Sequence, residues 1–172
     1  AGVPDVVVSN AGTTITKMAI DQTPADFDQV MNANLRGCWL VDTEAARRLI
    51  AAQKPGSIIN TASILGERVA AAVAPYAISK AGVIQATKAM ALEWARYGIR
   101  VNALLPGYVR TELNSEFLDS DIGEKLRKRI PSRRFNEQAD LDGPLLLLAS
   151  DAGRAMSGAT LEVDGGHLVS GL

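Results

Sequence analysis

The chain has 172 residues, 47% of them hydrophobic and 22% charged, a balance typical of globular proteins and long enough for one sizeable core. Its formal net charge is -1, and Lys and Arg are spread along the chain without forming a stripe, so the basic field that phosphate-backbone binding needs is missing and no nucleic-acid partner is expected. The one cysteine, Cys38, cannot form an internal disulfide, no cysteine cluster with the lone His167 has metal-ligand spacing, and no apolar run nears the roughly 20 residues of a membrane span, so the expectation is a cytoplasmic protein without metal or membrane attachment.

In chain order, Val6-Val7-Val8 is a β-branched run between Pro4-Asp5 and Asn10-Ala11-Gly12, which predicts a buried strand ending in a turn. Helices are predicted from Pro24 to Asn32 and from Leu35 to Gln53. Ser57 to Thr61, after Pro55-Gly56, reads as a second strand. From Tyr76 to Tyr97 the apolar residues Ile78, Val83, Ala86, Met90 and Trp94 recur at helical spacing, and Gly98 stands where a glycine would end the helix. A third strand runs from Arg100 to Leu105 before Pro106-Gly107, a short helix or lid is expected near Leu113 to Arg129, and a helix from Gln138 to Leu148 leads to a fourth strand, Thr160 to Val163. Strands alternating with helices imply a parallel sheet covered on both faces. The fold class expected is α/β, the C-terminal part of a doubly wound, Rossmann-like fold, in one domain over residues 1–172. Ligands of such folds bind beyond the carboxyl ends of the strands, where Asn10-Ala11-Gly12, Ser63 and Pro106-Gly107 all stand.

Tyr76-Ala77-Ile78-Ser79-Lys80 puts a phenol and an ammonium at i and i+4, on one face of a helix and one turn apart. A positive charge within about 4–6 Å favours a phenolate, so the spacing predicts a tyrosine drawn down from about 10 towards the range useful for proton transfer. Such pairs also occur on ordinary solvated helices, so the surrounding residues decide its meaning.

Ser63, in Asn60-Thr61-Ala62-Ser63, precedes the pair, Asn10-Ala11-Gly12 precedes both, and Asn102-Ala103-Leu104-Leu105-Pro106-Gly107 follows. This ordered set, from residue 5 to residue 168, resembles the short-chain dehydrogenase/reductase family. The resemblance implies reversible hydride transfer between NAD or NADP and a small-molecule carbonyl or secondary alcohol of sugar-acid, polyol or 3-oxoacyl type. It implies Tyr76 as general acid/base, Lys80 as the residue that lowers its pKa and holds the nicotinamide ribose, and Ser63 as the group holding the substrate oxygen. Asn34, chosen over Asn32 because an apolar residue follows it, matches the asparagine that kinks its helix and holds a water leading from the lysine. Asn10, Ala11 and Gly12 resemble the turn beside the adenosine half of the cofactor, with Ser9 where the family usually has asparagine, and Pro106, Gly107, Val109 and Thr111 resemble the segment that closes over the nicotinamide.

No Thr-Gly-x-x-x-Gly-x-Gly phosphate loop occurs in the 172 residues, so the sequence is expected to be the C-terminal two-thirds of such an enzyme, with the strand Val6 to Ser9 left at an unpaired edge. The residues that choose between NAD and NADP lie in that missing part. The sequence is similar to gluconate-type dehydrogenases and 3-oxoacyl-carrier-protein reductases, with the region of about 113–130 as substrate lid. Family helices like Leu35 to Gln53 and Tyr76 to Tyr97 build homodimers or homotetramers. The alternatives are a non-catalytic scaffold, which the presence of both Tyr76 and Lys80 disfavours, and an inert fragment of such an enzyme; residues 1–172 alone are expected to be inactive. His167 is expected at the surface or a subunit contact, Arg133 and Arg134 in local pairs, and Cys38 and Trp39 in the core or an interface.

Overall fold

The computed structural model describes residues 2–112 and 114–171; Leu113, where the lid is expected to begin, lies outside the described residues. Four strands, β1 (Val6–Ser9), β2 (Gly56–Thr61), β3 (Ile99–Pro106) and β4 (Thr160–Val163), pair in the order β1-β2-β3-β4, every ladder parallel. The helices are α1 (Pro24–Met31), α2 (Gly37–Ala51), α3 (Ala74–Trp94), α4 (Ser115–Leu118), α5 (Asp121–Arg127) and α6 (Asp142–Ala149). This is the α/β Rossmann-like architecture that the alternating pattern implies. Among the described residues no helix is long and apolar enough to cross a membrane.

Side chains alternate across a strand, and the strands use that period to serve two helical layers. Ile58 of β2 and Ile99 and Val101 of β3 pack with Leu49 of α2 and Met90 of α3. Further along, Ala103 and Leu105 meet Val83 and Ile84 of α3. On the opposite face Ile59 and Leu104 pack with Leu148 of α6. Polar side chains on this sheet are given partners, as burial demands: Ser57 Oγ donates to the Leu148 carbonyl (2.8 Å), and Asn102 donates to the Met156 carbonyl (2.8 Å) and accepts from the Ala159 amide (3.0 Å), fixing the approach to β4. α6 reaches β2 and β3 but leaves Val6 and Val8 of β1 about two-fifths exposed.

The two helices expected before β2 are continuous. Asn32–Arg36 forms a π turn between α1 and α2, closed by the Gly37 N–H to the Asn32 carbonyl. A Cβ at Gly37 would stand 3.3 Å from that oxygen, so glycine suits the bulge. The bulge rotates Asn34 inward, 1% exposed, while Asn32 stays outside. Ile78, which the spacing assigned to the buried face of α3, is half exposed instead, because Pro75, Ala77 and Ser79 take the inward positions in that first turn. After the short turn Ala95–Tyr97, Gly98 ends the helix with φ +70°, the left-handed conformation glycine adopts without strain.

The turn Ile64–Gly66 after β2 sits directly on α3. A Cβ at Gly66 would lie 2.6 Å from Ile84 Cδ1 and 2.9 Å from the Lys80 carbonyl carbon. Gly66→Ala is therefore expected to lower stability by about 1–3 kcal/mol, the usual cost of overpacking, as read by denaturant unfolding. Unchanged stability would show that the turn is not seated there.

Candidate active site

The carboxyl ends of β1, β2 and β3 open into one cleft of about 860 Å³, lined by those ends, the segments that follow them, and residues of α3 and α6. Asn10 and Gly12 stand on one wall, Ser63, Tyr76 and Lys80 form the floor, and Pro106, Gly107, Val109 and Thr111 form the far side. Ala11, expected beside Asn10, is exposed and lines no part of this cleft. A second hollow of about 610 Å³ continues past Ser63, Tyr76, Gly107 and Val109 under α4.

Lys80 is 3% exposed and donates to the Thr61 carbonyl at 2.6 Å. No ion pair with it occurs among the described residues. Burial depresses its pKa from 10.5 to about 8. Its ammonium lies over the Tyr76 ring, 5.6 Å from the centroid. The spacing led us to expect a phenol drawn down by this charge, and the structure differs: burial pushes Tyr76 up, and the Ser63 hydroxyl is what pulls it back. The reason is geometric, since the ammonium faces the ring and the Thr61 carbonyl rather than the phenolic oxygen.

Asn34 ties the site together. Its Oδ1 accepts from the Thr13 amide (2.7 Å), and its Nδ2 donates to the Thr13 carbonyl (2.9 Å) and to Ser79 Oγ (2.9 Å), which in turn donates to the Tyr76 carbonyl (2.7 Å). Both amide protons are thus engaged within the protein, leaving only a lone pair of Oδ1 for any water. Gly12 keeps that neighbourhood clear: a Cβ there would lie 3.4 Å from Asn34 Oδ1 and 3.6 Å from Lys80 Nζ. A group with ring hydroxyls fits this cradle, whose donors are an ammonium and turn amides. Gly107 has a different reason to be glycine, because a Cβ would meet the Asp164 backbone at 2.9 Å.

Ser63 serves two purposes, capping the turn Ile64–Gly66 by accepting from the Leu65 amide (3.1 Å) while facing the cleft. Several residues of the site had no signal in the sequence. Asn136 donates to the Val163 carbonyl (2.5 Å), and its backbone pairs with Tyr108 and Arg110, which holds the segment from Gly107 to Thr111. Asn114 brackets the same segment, accepting from the Thr111 amide and donating to the Val109 carbonyl, both at 2.8 Å. Asp42, wholly buried, accepts from Ser9 Oγ (2.6 Å) and Cys38 Sγ (3.6 Å), and burial pushes its carboxyl up. Ser9 is therefore the outer half of a partly buried pair. Only an i+4 spacing between Cys38 and Asp42 hinted at that cluster.

His167, expected at the surface or a subunit contact, is 6% exposed within the chain, its ring 5.9 Å from that of Tyr108, and burial lowers its pKa. Arg134 pairs with Asp140 (2.6 Å), and Arg133 donates to the Lys128 carbonyl. Cys38 is buried and Trp39 half exposed. No group of three or more His, Cys, Asp or Glu side chains is placed to hold a metal among the described residues.

A family model described as Enoyl-(Acyl carrier protein) reductase matches residues 1–167. The chain belongs to the short-chain dehydrogenase/reductase family. It is 38% identical over 165 residues to the 2-dehydro-3-deoxy-D-gluconate 5-dehydrogenase of Escherichia coli, covering 95% of this chain and 65% of that protein. It is 37% identical over 163 residues to the (3R)-3-hydroxyacyl-CoA dehydrogenase of Mus musculus, covering 95% and 62%. The structure of a gluconate 5-dehydrogenase from Burkholderia cenocepacia in complex with NADP and tartrate superposes with TM-score 0.95 at 38% identity, over 99% of this chain and 67% of that one. The chain thus spans about 65% of the length of the curated gluconate relatives it matches.

Lys80 also carries a stability cost. The unfolded lysine keeps its proton up to 10.5 and the folded one only to about 8, so between those values the unfolded chain binds more protons and stability rises with pH. Below that window the buried charge costs on the order of 3 kcal/mol. Lys80→Met is expected to be more stable than the parent at pH 7, by up to about that amount, with the gap narrowing from pH 8 to 10.5 in denaturant titrations. A gap independent of pH would refute burial of the ammonium as its cause.

Proposed function

We propose that the protein is a nicotinamide-dependent oxidoreductase that interconverts a carbonyl and a secondary alcohol. The observation that carries this reading is Lys80: a buried ammonium at the floor of a cleft, next to a phenol and a serine hydroxyl, is costly to fold and has one carbonyl as its hydrogen-bond partner among the described residues. The relatives named as gluconate and hydroxyacyl-CoA dehydrogenases support it, as do neighbouring structures with bound NADP or NADH. Those neighbours hold either dinucleotide.

When bound, the reduced dinucleotide supplies a hydride to the carbonyl carbon and its oxidised form takes one back. Lys80 would hold the ribose hydroxyls beside Gly12, and Asn10 and Gly12 would flank the adenosine side. Pro106, Gly107, Val109 and Thr111 would close against the nicotinamide, with Asn114 and Asn136 keeping their backbone in place. Ser63 orients the substrate oxygen. Tyr76, kept protonated at neutral pH by burial, gives its proton to that oxygen in reduction and recovers it in oxidation. Asn34 positions the loop at Thr13 and the first turn of α3, and its free lone pair can hold a water on the way to Lys80.

Tyr76→Phe removes only the ionisable hydroxyl. In the protein as its gene encodes it, this change is expected to cut turnover about 10²–10⁴-fold while dinucleotide binding, followed by fluorescence, stays within a few-fold. Retention of more than about a tenth of the parent rate would contradict the role.

We further infer assembly through α2 and α3. Trp39, Leu40 and Val41 on α2 and Ile78 on α3 are about half exposed and Leu92 on α3 more so, and a groove between the helices is lined by Trp39, Ala86 and Ala89. A homodimer or homotetramer is expected by light scattering at micromolar concentration; a monomer there would overturn it.

A further inference from the structure

The hollow beyond Tyr76 differs in chemistry from what a sugar acid requires. Its wall is built from Ile64, Leu65, Val73, Tyr108, Val109 and Phe117, with Ala70 and Ala71 between them, and no charged side chain is among the described lining residues. The polar groups that do reach it are mostly committed. Asn114 spends both its amide oxygen and its amide nitrogen on the backbone of Thr111 and Val109. Ser63 and Tyr76 belong to the reacting oxygen, which leaves the hydroxyls of Thr14, Thr16 and Tyr108.

The nearby cations are committed as well. Arg110 holds Asp119 through two hydrogen bonds, at 2.9 and 3.1 Å, and lies 4.0 Å from Glu137. Arg68 donates to the His167 carbonyl and reaches Ser170. Lys17 is paired with Asp26 at 2.8 Å. A carboxylate with several hydroxyls would have to leave water for a wall that returns few of its hydrogen bonds and no charge, which is strongly unfavourable. An alkyl, aryl or acyl group gains there instead, at roughly 25 cal/mol per Å² of apolar surface covered. Phe117, 46% exposed on α4, stands over the opening, and Val69, 84% exposed, adjoins the lining Ala70. Both extend the apolar surface outward.

We propose that the substrate places an uncharged, apolar group in this hollow: the protein reduces a ketone carrying alkyl, aryl or acyl substituents, or oxidises the matching alcohol, and discriminates against keto sugar acids, unlike the relatives named for gluconate. This rests on the oxidoreductase reading above, and the test separates the two. The same apolar chemistry can arrive as a free ketone or as a 3-oxoacyl thioester.

The protein as its gene encodes it is assayed with NADH and with NADPH against 2-octanone, acetophenone, acetoacetyl-CoA and 5-ketogluconate. In parallel, binding of 2-octanone and 5-ketogluconate to Tyr76→Phe is measured by calorimetry, which needs no turnover. The proposal expects kcat/KM at least 10-fold higher for one of the three substrates whose carbonyl carries an uncharged alkyl, aryl or acyl group (2-octanone, acetophenone or acetoacetyl-CoA) than for 5-ketogluconate, and tighter binding of 2-octanone than of 5-ketogluconate. Turnover of the ketones but not the thioester assigns a free ketone, and the converse assigns an acyl carrier. Phe117→Arg is expected to raise KM for the preferred apolar substrate about 10-fold, with kcat little changed, and to narrow the gap to the sugar acid. A 10-fold preference for 5-ketogluconate overturns this substrate class while leaving hydride transfer intact. Absence of turnover, with 2-octanone still bound more tightly, leaves the substrate class supported and overturns the oxidoreductase reading; tighter binding of 5-ketogluconate overturns the substrate class whatever the rates.

Discussion

One amide holds three parts of this molecule in register. The Asn34 side chain grips Thr13 by both its backbone amide and its carbonyl and reaches Ser79, whose hydroxyl closes on the carbonyl of Tyr76. The loop leaving β1, the bulge between α1 and α2, and the first turn of α3 are thereby fixed to one another at the mouth of the cleft. A buried amide with unmet hydrogen bonds would be expensive, so the bulge that turns Asn34 inward and the loop that receives it stand or fall together. Parallel pairing then brings the ends of β1, β2 and β3 to the same edge, and the cleft is the space those ends share.

Within that frame the site is assembled from groups that would be unfavourable elsewhere. An ammonium is buried without a counter-ion among the described residues, a phenol is held away from water, and Asp42 is wholly enclosed behind Ser9. Each raises the energy of the folded chain, and the close-packed helices α2, α3 and α6 offset it through burial of residues such as Leu49, Ile58, Ile59 and Leu148. Buried groups with displaced pKa values cluster at functional sites, and in this fold Tyr76 and Lys80 are such a pair.

The hollow under α4 is walled by the turn after β2, the approach to α3 and the segment around α4, which are connecting segments and not strands. Such segments change without disturbing the sheet, so the wall of this hollow can vary while the sheet beneath it stays the same.

Neighbouring residues along the chain were enough to set the sheet and the pair at its centre. Four apolar runs between turn signals placed β1 to β4 within a residue or two, and Tyr76 and Lys80 at i and i+4 must share a face on any helix. Local periodicity and short spacing suffice for such features. Contacts between distant residues settled the remainder: that Asn34 turns inward through a π turn, that Lys80 faces Thr61 and leaves Tyr76 raised rather than lowered, that Ser9 meets Asp42, that Asn136 braces the segment after Gly107, and that His167 is enclosed. A pKa and a hydrogen bond follow from burial and from the partner at hand, and neither is written in the order of neighbouring residues.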